Sequence, residues 1–149
     1  MPIKPENRGR YPADWANHSR EAKERAGWRC VHPGCGAKQY SVGRWLPEPG
    51  GALAWKPHAD YAESFQHARQ MAAEYSFFLF GDGPVPRGDA PVIVIVLTTA
   101  HLNHDPTDCR PENLAAMCQR HHLQYDQRHH NETAYMSRKA RANTQDLPL

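Results

Sequence analysis

The longest apolar run in the chain is "PVIVIVLTTAHL", residues 91–102. It is rich in β-branched residues, which predicts a buried strand that carries His101 to its end. In "ADYAESFQHARQMAAEYSFFLF", Tyr61, Phe65, Ala68, Ala72, Tyr75 and Leu79 recur at helical intervals. That spacing predicts an amphipathic helix from about Ala59 to Phe80. A charged helix from about Trp15 to Ala26 is expected nearer the start, with Asp14 as N-cap, Gly27 as its stop and Trp15, Ala16, Ala22 and Ala26 as its packing face. Arg20/Glu24 and Glu21/Arg25 stand at i,i+4 on it. Helical periodicity returns in "ENLAAMCQRHHLQYDQRHH", from roughly Cys118 or a few residues earlier, and continues to about Ala142 ahead of Pro148.

Between these segments the pattern breaks down. Pro2, Pro5 and Pro12 predict an extended basic arm over residues 1–13. Residues 45–57, rich in Pro, Gly and Trp, read as loop, "GDGPVPRGDAP" as a connector, and 103–112 as a loop of Asn, Asp, Pro and Thr. A mixture of helices with one strong strand in 149 residues gives a small single α+β domain, 1–149.

Net charge is only +2, but its distribution is uneven: residues 1–44 hold nine Lys/Arg against four Asp/Glu, and residues 45–90 hold three against six. The basic arm and helix (1–29) and the acidic, partly helical stretch 45–90 therefore face different surroundings. The start lacks the apolar region of a secretory signal, and no apolar run approaches the roughly 20 residues of a membrane span. A soluble cytoplasmic protein without a membrane partner is the expectation.

In such a compartment four cysteines are more often reduced or metal-bound than paired. Cys30-x4-Cys35, around a His-Pro-Gly turn, and Cys118-x2-His121 form two ligand pairs of the kind that close a zinc knuckle. Cys30, Cys35, Cys118 and His121 are the expected ligands of a structural Zn²⁺, with Cys109 or His32 as alternatives to His121. Ordinary buried thiols are the bland reading. His122 follows His121 and turns about 100° away from it on a helix. Asp126 lies four residues beyond His122 on the same face, so the two can reach one ion.

A strand ending at His101, a loop, a second short strand and a helix bearing His122 make a ββα-metal arrangement. On "AHLNHDPTDCRPENLAAMCQRHHLQYD" (100–126) the chain resembles the HNH endonuclease family, specifically its small phage-type, zinc-knuckle-containing members. His101, Asn113 and His122 fall in the three named positions, and "MPIKPENRGRYPADW" is similar to the opening of those proteins. The resemblance covers about residues 1–44 and 91–130. The stretch 45–90 does not match it and reads as an insertion that packs on the rest or binds another protein.

The resemblance implies a ββα-metal finger at 91–130 with flanking helices, and a basic C-terminal tail at 131–149. It implies a metal-dependent nuclease that nicks or cuts DNA, of low sequence specificity, acting in a bacterial host cell. His101 would be the general base and Asn113 would brace the loop. A catalytic divalent ion (Mg²⁺, Mn²⁺ or Ni²⁺) would be held by His122, Asp126 and His104. Arg8, Arg10, Arg20, Lys23, Arg25, Arg29, Arg138 and Lys139 would meet DNA phosphates.

The chain departs from the family pattern at Ala100, where many members carry a ligand. His104 or Asn103 would then supply the missing donor, or His129 or His130 from the helix side. It departs again at His121, where Cys is usual. His18, His58 and His67 read as ordinary surface or packing residues, and His32 as a turn residue. The competing function is a zinc-stabilised DNA- or protein-binding module that has lost cleavage through Ala100. A weaker one is a viral assembly protein that uses the fold as scaffold.

Overall fold

Two small antiparallel sheets, with helices packed against them, carry the chain in the computed structural model, which describes residues 3–142. Helix α1 (Trp15–Arg25) packs on the second sheet, and Ala22 is its buried residue. Asp14 does not cap it through its side chain; Asp14 Oδ2 instead pairs with His18 Nε2 at 3.1 Å. The arm ahead of α1 is not extended either. Pro5–Arg10 is a 3-10 helix, because Pro5 stands at a first-turn position, where a missing N–H costs nothing and its fixed φ helps.

The segment expected as loop at 45–57 is a β-hairpin. Strand β1 (Val42–Pro47) pairs with β2 (Leu53–Ala59), Trp45 opposite Trp55, with their rings 5.4 Å apart. Proline obscured it: Pro57 is tolerated because β2 is an edge strand, where a ladder donor can be missing. Opposite Pro57 is Gly43, next to a register shift. A Cβ at Gly43 would stand 2.2 Å from the Lys56 carbonyl oxygen, so only glycine lets the strands close there.

The apolar run 91–102 is two strands. Strand β3 (Ile93–Val94) pairs with β1, giving the order β2-β1-β3, and β4 (Leu97–His101) pairs with β5 (Leu114–Cys118) in a separate sheet. The Gln119 side chain holds the break, accepting from Val96 N at 3.1 Å and donating to the Val94 carbonyl at 2.9 Å. Ile95, fully buried, bonds through its backbone to Tyr40 and Ser41. The stretch 45–90 is thus tied to its neighbours by the first sheet.

Helix α2 (Phe65–Phe80) starts later than Ala59, because Ala59 still belongs to β2 and Ser64 caps the helix by accepting from His67 N at 3.1 Å. Its Ala68 and Met71 cover Val42 and Ala59. Helix α3 (Gln119–Arg141) follows β5 directly, so Cys118 and the few residues ahead of it are strand and not the start of the helix. Residues 143–149 of the basic tail, with Pro148, lie outside the described residues. Among those described, no helix is long and apolar enough to cross a membrane.

Candidate metal cluster and the cleft around His101

The turn 30–35 and the β5–α3 junction converge on one point. Cys30 N donates to the Ala37 carbonyl at 2.9 Å and Val31 N to the Ala116 carbonyl at 3.0 Å, which seats the turn beside β5. Gly34 (φ +79°) and Gly36 (φ +61°) supply the left-handed backbone that brings Cys35 round. The donor atoms of Cys30, Cys35, Cys118 and His121 all lie within 4.8 Å of one another. His121 turns Nδ1 toward both sulfurs, 3.3 Å from Cys118 Sγ and 3.6 Å from Cys30 Sγ.

Hydrogen bonding with Cys118 pulls the Cys30 thiol down to about 4 against the opposing effect of burial, and the same bond pushes Cys118 up. Burial pushes the Cys35 thiol up as well; three sulfurs with one imidazole suit tetrahedral zinc. His121 is the fourth donor. His32 stacks on it, centroids 3.8 Å apart, and Trp45 meets its edge at 5.6 Å. Cys109 is elsewhere. Ala100 is buried in the same core as Cys30, Leu97 and Cys118.

His101 ends β4 at 8% exposure, at the wall of a cleft of about 650 Å³. It stacks on Trp15 (4.8 Å, 23° between planes), meets Tyr11 edge-on at 5.7 Å, and has Nε2 3.7 Å from Cys109 Sγ. Burial holds His101 below the usual imidazole range, with partial opposition from Asp105 and Asp108. His104, His122, Asp126, His129 and His130 line the same cleft. The arm closes another side, where Arg10 reaches Asp105 at 3.3 Å.

Asn113 stands at the base of the 102–113 loop, 6% exposed. Its Oδ1 accepts from Asn103 N at 3.1 Å, and its Nδ2 donates to Asn103 Oδ1 at 2.9 Å and to the Asp108 carbonyl at 2.8 Å. Leu102 N donates to the Asn113 carbonyl at 2.8 Å, so both ends of the loop are fastened next to His101. Asn103 is occupied in this network.

On α3, Asp126 is the hub. Its Oδ2 is 3.0 Å from His122 Nε2, its Oδ1 is 3.2 Å from His104 Nδ1, and His130 Nε2 approaches to 4.0 Å. His122 Nδ1 meets Thr98 Oγ1 at 2.5 Å, and burial lowers the His122 pKa. His104 adopts a left-handed φ of +59° and stacks with the rings of Tyr125 (5.4 Å) and His129 (4.4 Å). Among the described residues, the Cys3His cluster is the one group of three or more Cys, His, Asp or Glu donors that all lie within 4.8 Å of one another.

The basic residues singled out in the sequence are spread over several elements. Lys23 and Arg10 line the cleft; Arg20 pairs with Glu24 at 3.3 Å, and Arg29 donates to the Gly36 carbonyl at 3.1 Å. Arg25 closes α1, while Arg138 and Lys139 lie in the last turn of α3. His18 pairs with Asp14, His58 stacks on Tyr75 at 4.5 Å and His67 meets Tyr61 edge-on at 6.3 Å, all outside both clusters.

Tyr11 and Thr98 are cleft neighbours that sequence reading did not assign, Trp15 was expected only as a packing residue, and Cys109, expected as an alternative zinc ligand, meets His101 instead. The aromatic pair in "YPADW" was the available signal for Tyr11, which stands in an otherwise polar arm. No family model matches the chain, and no curated protein or solved structure matches it.

Proposed function

We propose that the protein is a metal-dependent HNH-type endonuclease that hydrolyses DNA phosphodiester bonds with low sequence specificity, in a phage-infected or prophage-bearing bacterial cell. The observation that carries this reading is the shared cleft: His101 at the end of β4 faces the same space as His122 and Asp126 on α3, and Asn113 fastens the loop between them. A ββα-metal assignment for β4, β5 and α3 rests on the same arrangement.

His101, neutral at physiological pH, accepts the proton of the attacking water. The stacked Trp15 and Cys109 fix the plane of its ring. The donors of His122, Asp126 and His104 do not all lie within 4.8 Å of one another, so they would have to draw together to share a divalent ion. Such an ion, held by His122, Asp126 and His104, would stabilise charge developing on the phosphate and the leaving oxygen. Asn113 holds the loop register. Lys4, Arg10 and Lys23 on the cleft wall supply cations for the backbone phosphates, which give affinity without sequence information. The Cys3His cluster, loaded with zinc, clamps β5 and α3.

A second reading, a zinc-stabilised binding module, is favoured by α2, which leaves Phe77 60% and Phe78 82% exposed in the acidic stretch, a surface suited to a protein partner. Incubation of supercoiled plasmid with the protein and Mg²⁺, Mn²⁺ or Ni²⁺ separates the two. Nicking that His101→Ala abolishes, with bound zinc unchanged, is expected for the nuclease. Inactivity of the native protein with every metal gives the binding module.

A further inference from the structure

We propose that residues 3–11 form an autoinhibitory strap over the cleft, latched by Arg10 to Asp105, so that the fold is closed at rest and release of the latch uncovers His101. The inference rests on the reading that His101 is the base, and the reactivity of its ring tests it without cleavage.

His101 is covered. It is 8% exposed, with Trp15 stacked on its ring and Tyr11 edge-on at 5.7 Å. Trp15 is the first residue of α1 and moves only with that helix, whereas Tyr11 closes the arm. Ile3, Lys4, Asn7 and Arg10 continue the same wall of the cleft. A ring so shielded offers little to a solute the size of a phosphate diester, and the arm is the part of its cover with least to hold it.

Residues 3–10 are exposed apart from half-buried Asn7, and the 3-10 helix Pro5–Arg10 buries no residue, so little apolar burial fastens the arm. Its own backbone bonds, Asn7 N to the Lys4 carbonyl at 2.9 Å and Tyr11 N to the Arg8 carbonyl at 3.4 Å, stay within it. Among the described residues no backbone hydrogen bond crosses the Tyr11–Pro12 joint. Beyond the joint the chain enters the first turn of α1, where Trp15 N donates to the Pro12 carbonyl at 3.0 Å. Segments with few buried contacts and exposed hydrogen bonds are the ones that open locally.

The latch pairs a loose bolt with a fixed catch. Arg10 Nη2 donates to Asp105 Oδ1 at 3.3 Å, with the two side chains 51% and 43% exposed. Asp105 N donates to Asn103 Oδ1 at 2.9 Å, and Asp105 Oδ1 accepts from Thr107 N at 3.0 Å and from Thr107 Oγ1 at 2.7 Å. Asn103 is in turn bound to Asn113, so the carboxylate stands on the braced loop and the guanidinium on the arm. An ion pair this exposed is weak and screened by salt, which suits a contact that opens and closes without unfolding the rest.

The test is carbethoxylation of the full-length, zinc-loaded protein by diethyl pyrocarbonate above neutral pH, read at each histidine by mass spectrometry, with the exposed His67 of α2 as internal reference. At low salt His101 is expected to react at least tenfold more slowly than His67. Asp105→Asn and Arg10→Gln should each speed His101 by about two- to fivefold, the scale of an exposed ion pair, with circular dichroism, zinc content and the rate at His67 unchanged. Tyr11→Ala, which removes the cover itself, should speed it further. Raising KCl should bring the wild type to the rate of the two latch variants and leave those variants where they are. Native His101 reactivity in both folded latch variants overturns the proposal, as does wild-type His101 reacting as fast as His67. Faster modification of His101 in the latch variants, with no plasmid nicking by any form of the protein, would sink the nuclease reading and leave the strap standing. Nicking by the wild type, with His101 equally slow in both latch variants, would sink the strap alone.

Discussion

Cys109 Sγ lies 3.7 Å from His101 Nε2 and 3.6 Å from the Pro106 carbonyl oxygen. With the thiol proton donated to the carbonyl, the sulfur can accept from His101 Nε2–H, a tautomer that leaves the ring lone pair on Nδ1. Burial pushes the Cys109 thiol up, which keeps it a thiol at neutral pH. Cys109→Ala should therefore lower kcat for plasmid nicking about tenfold with KM unchanged, and Cys109→Ser should recover most of it. Nitrogen chemical shifts of His101 by NMR read the tautomer directly; an unchanged tautomer in the alanine variant removes this role.

Under the proposed nuclease reading, the acid limb of activity follows from the burial of His101. Burial penalises the protonated ring and outweighs the carboxylates of Asp105 and Asp108, so its pKa falls below the ordinary 6.5. A base works when neutral. As pH falls, activity should therefore hold through 6.5 and drop only below it. The pH profile of kcat/KM measures this limb, and a midpoint above 6.5 contradicts the assignment.

Removing the Asn113 side chain takes away three hydrogen bonds at a 6% exposed position and leaves Asn103 N and Asn103 Oδ1 without that partner. Asn113→Ala should destabilise the fold by about 2–3 kcal/mol, read from urea denaturation, and cut nicking further than stability alone explains. Asn113→Asp cannot donate to the Asp108 carbonyl and should rescue neither quantity. Wild-type stability in the alanine variant would show that the loop is held by other means.

The thiol cluster should retain one zinc per chain through purification, measurable by elemental analysis. Cys118→Ser replaces a fully buried donor and should release the metal. A loss of about 3 kcal/mol would lower Tm by roughly 10 °C in a domain of this size. Full zinc occupancy in this variant would mean that another residue completes the coordination.

The two Cys/His pairs were legible because knuckle spacing is a local property: a turn of fixed length brings two donors together whatever surrounds it. His101 at a strand end was legible for the same reason, since the β-branched run reaches it. The hairpin of β1 and β2 was hidden. Its proline is permitted by an edge position, and its pairing by the absence of a side chain at Gly43, and neither can be known before the partner strand is placed. The division of the apolar run depends on Gln119, which lies 23 residues beyond Val96. The stacking of Trp15 on His101 and the contact with Cys109 are likewise tertiary, and periodicity carries no trace of them.

His121 and His122 are consecutive, yet one belongs to the sulfur cluster and the other to the cleft. A single helical turn thus joins the sulfur cluster to the cleft wall. A chelator strong enough to strip the thiolates should silence the cleft without ever entering it, since α3 would lose the anchor that aims its next imidazole.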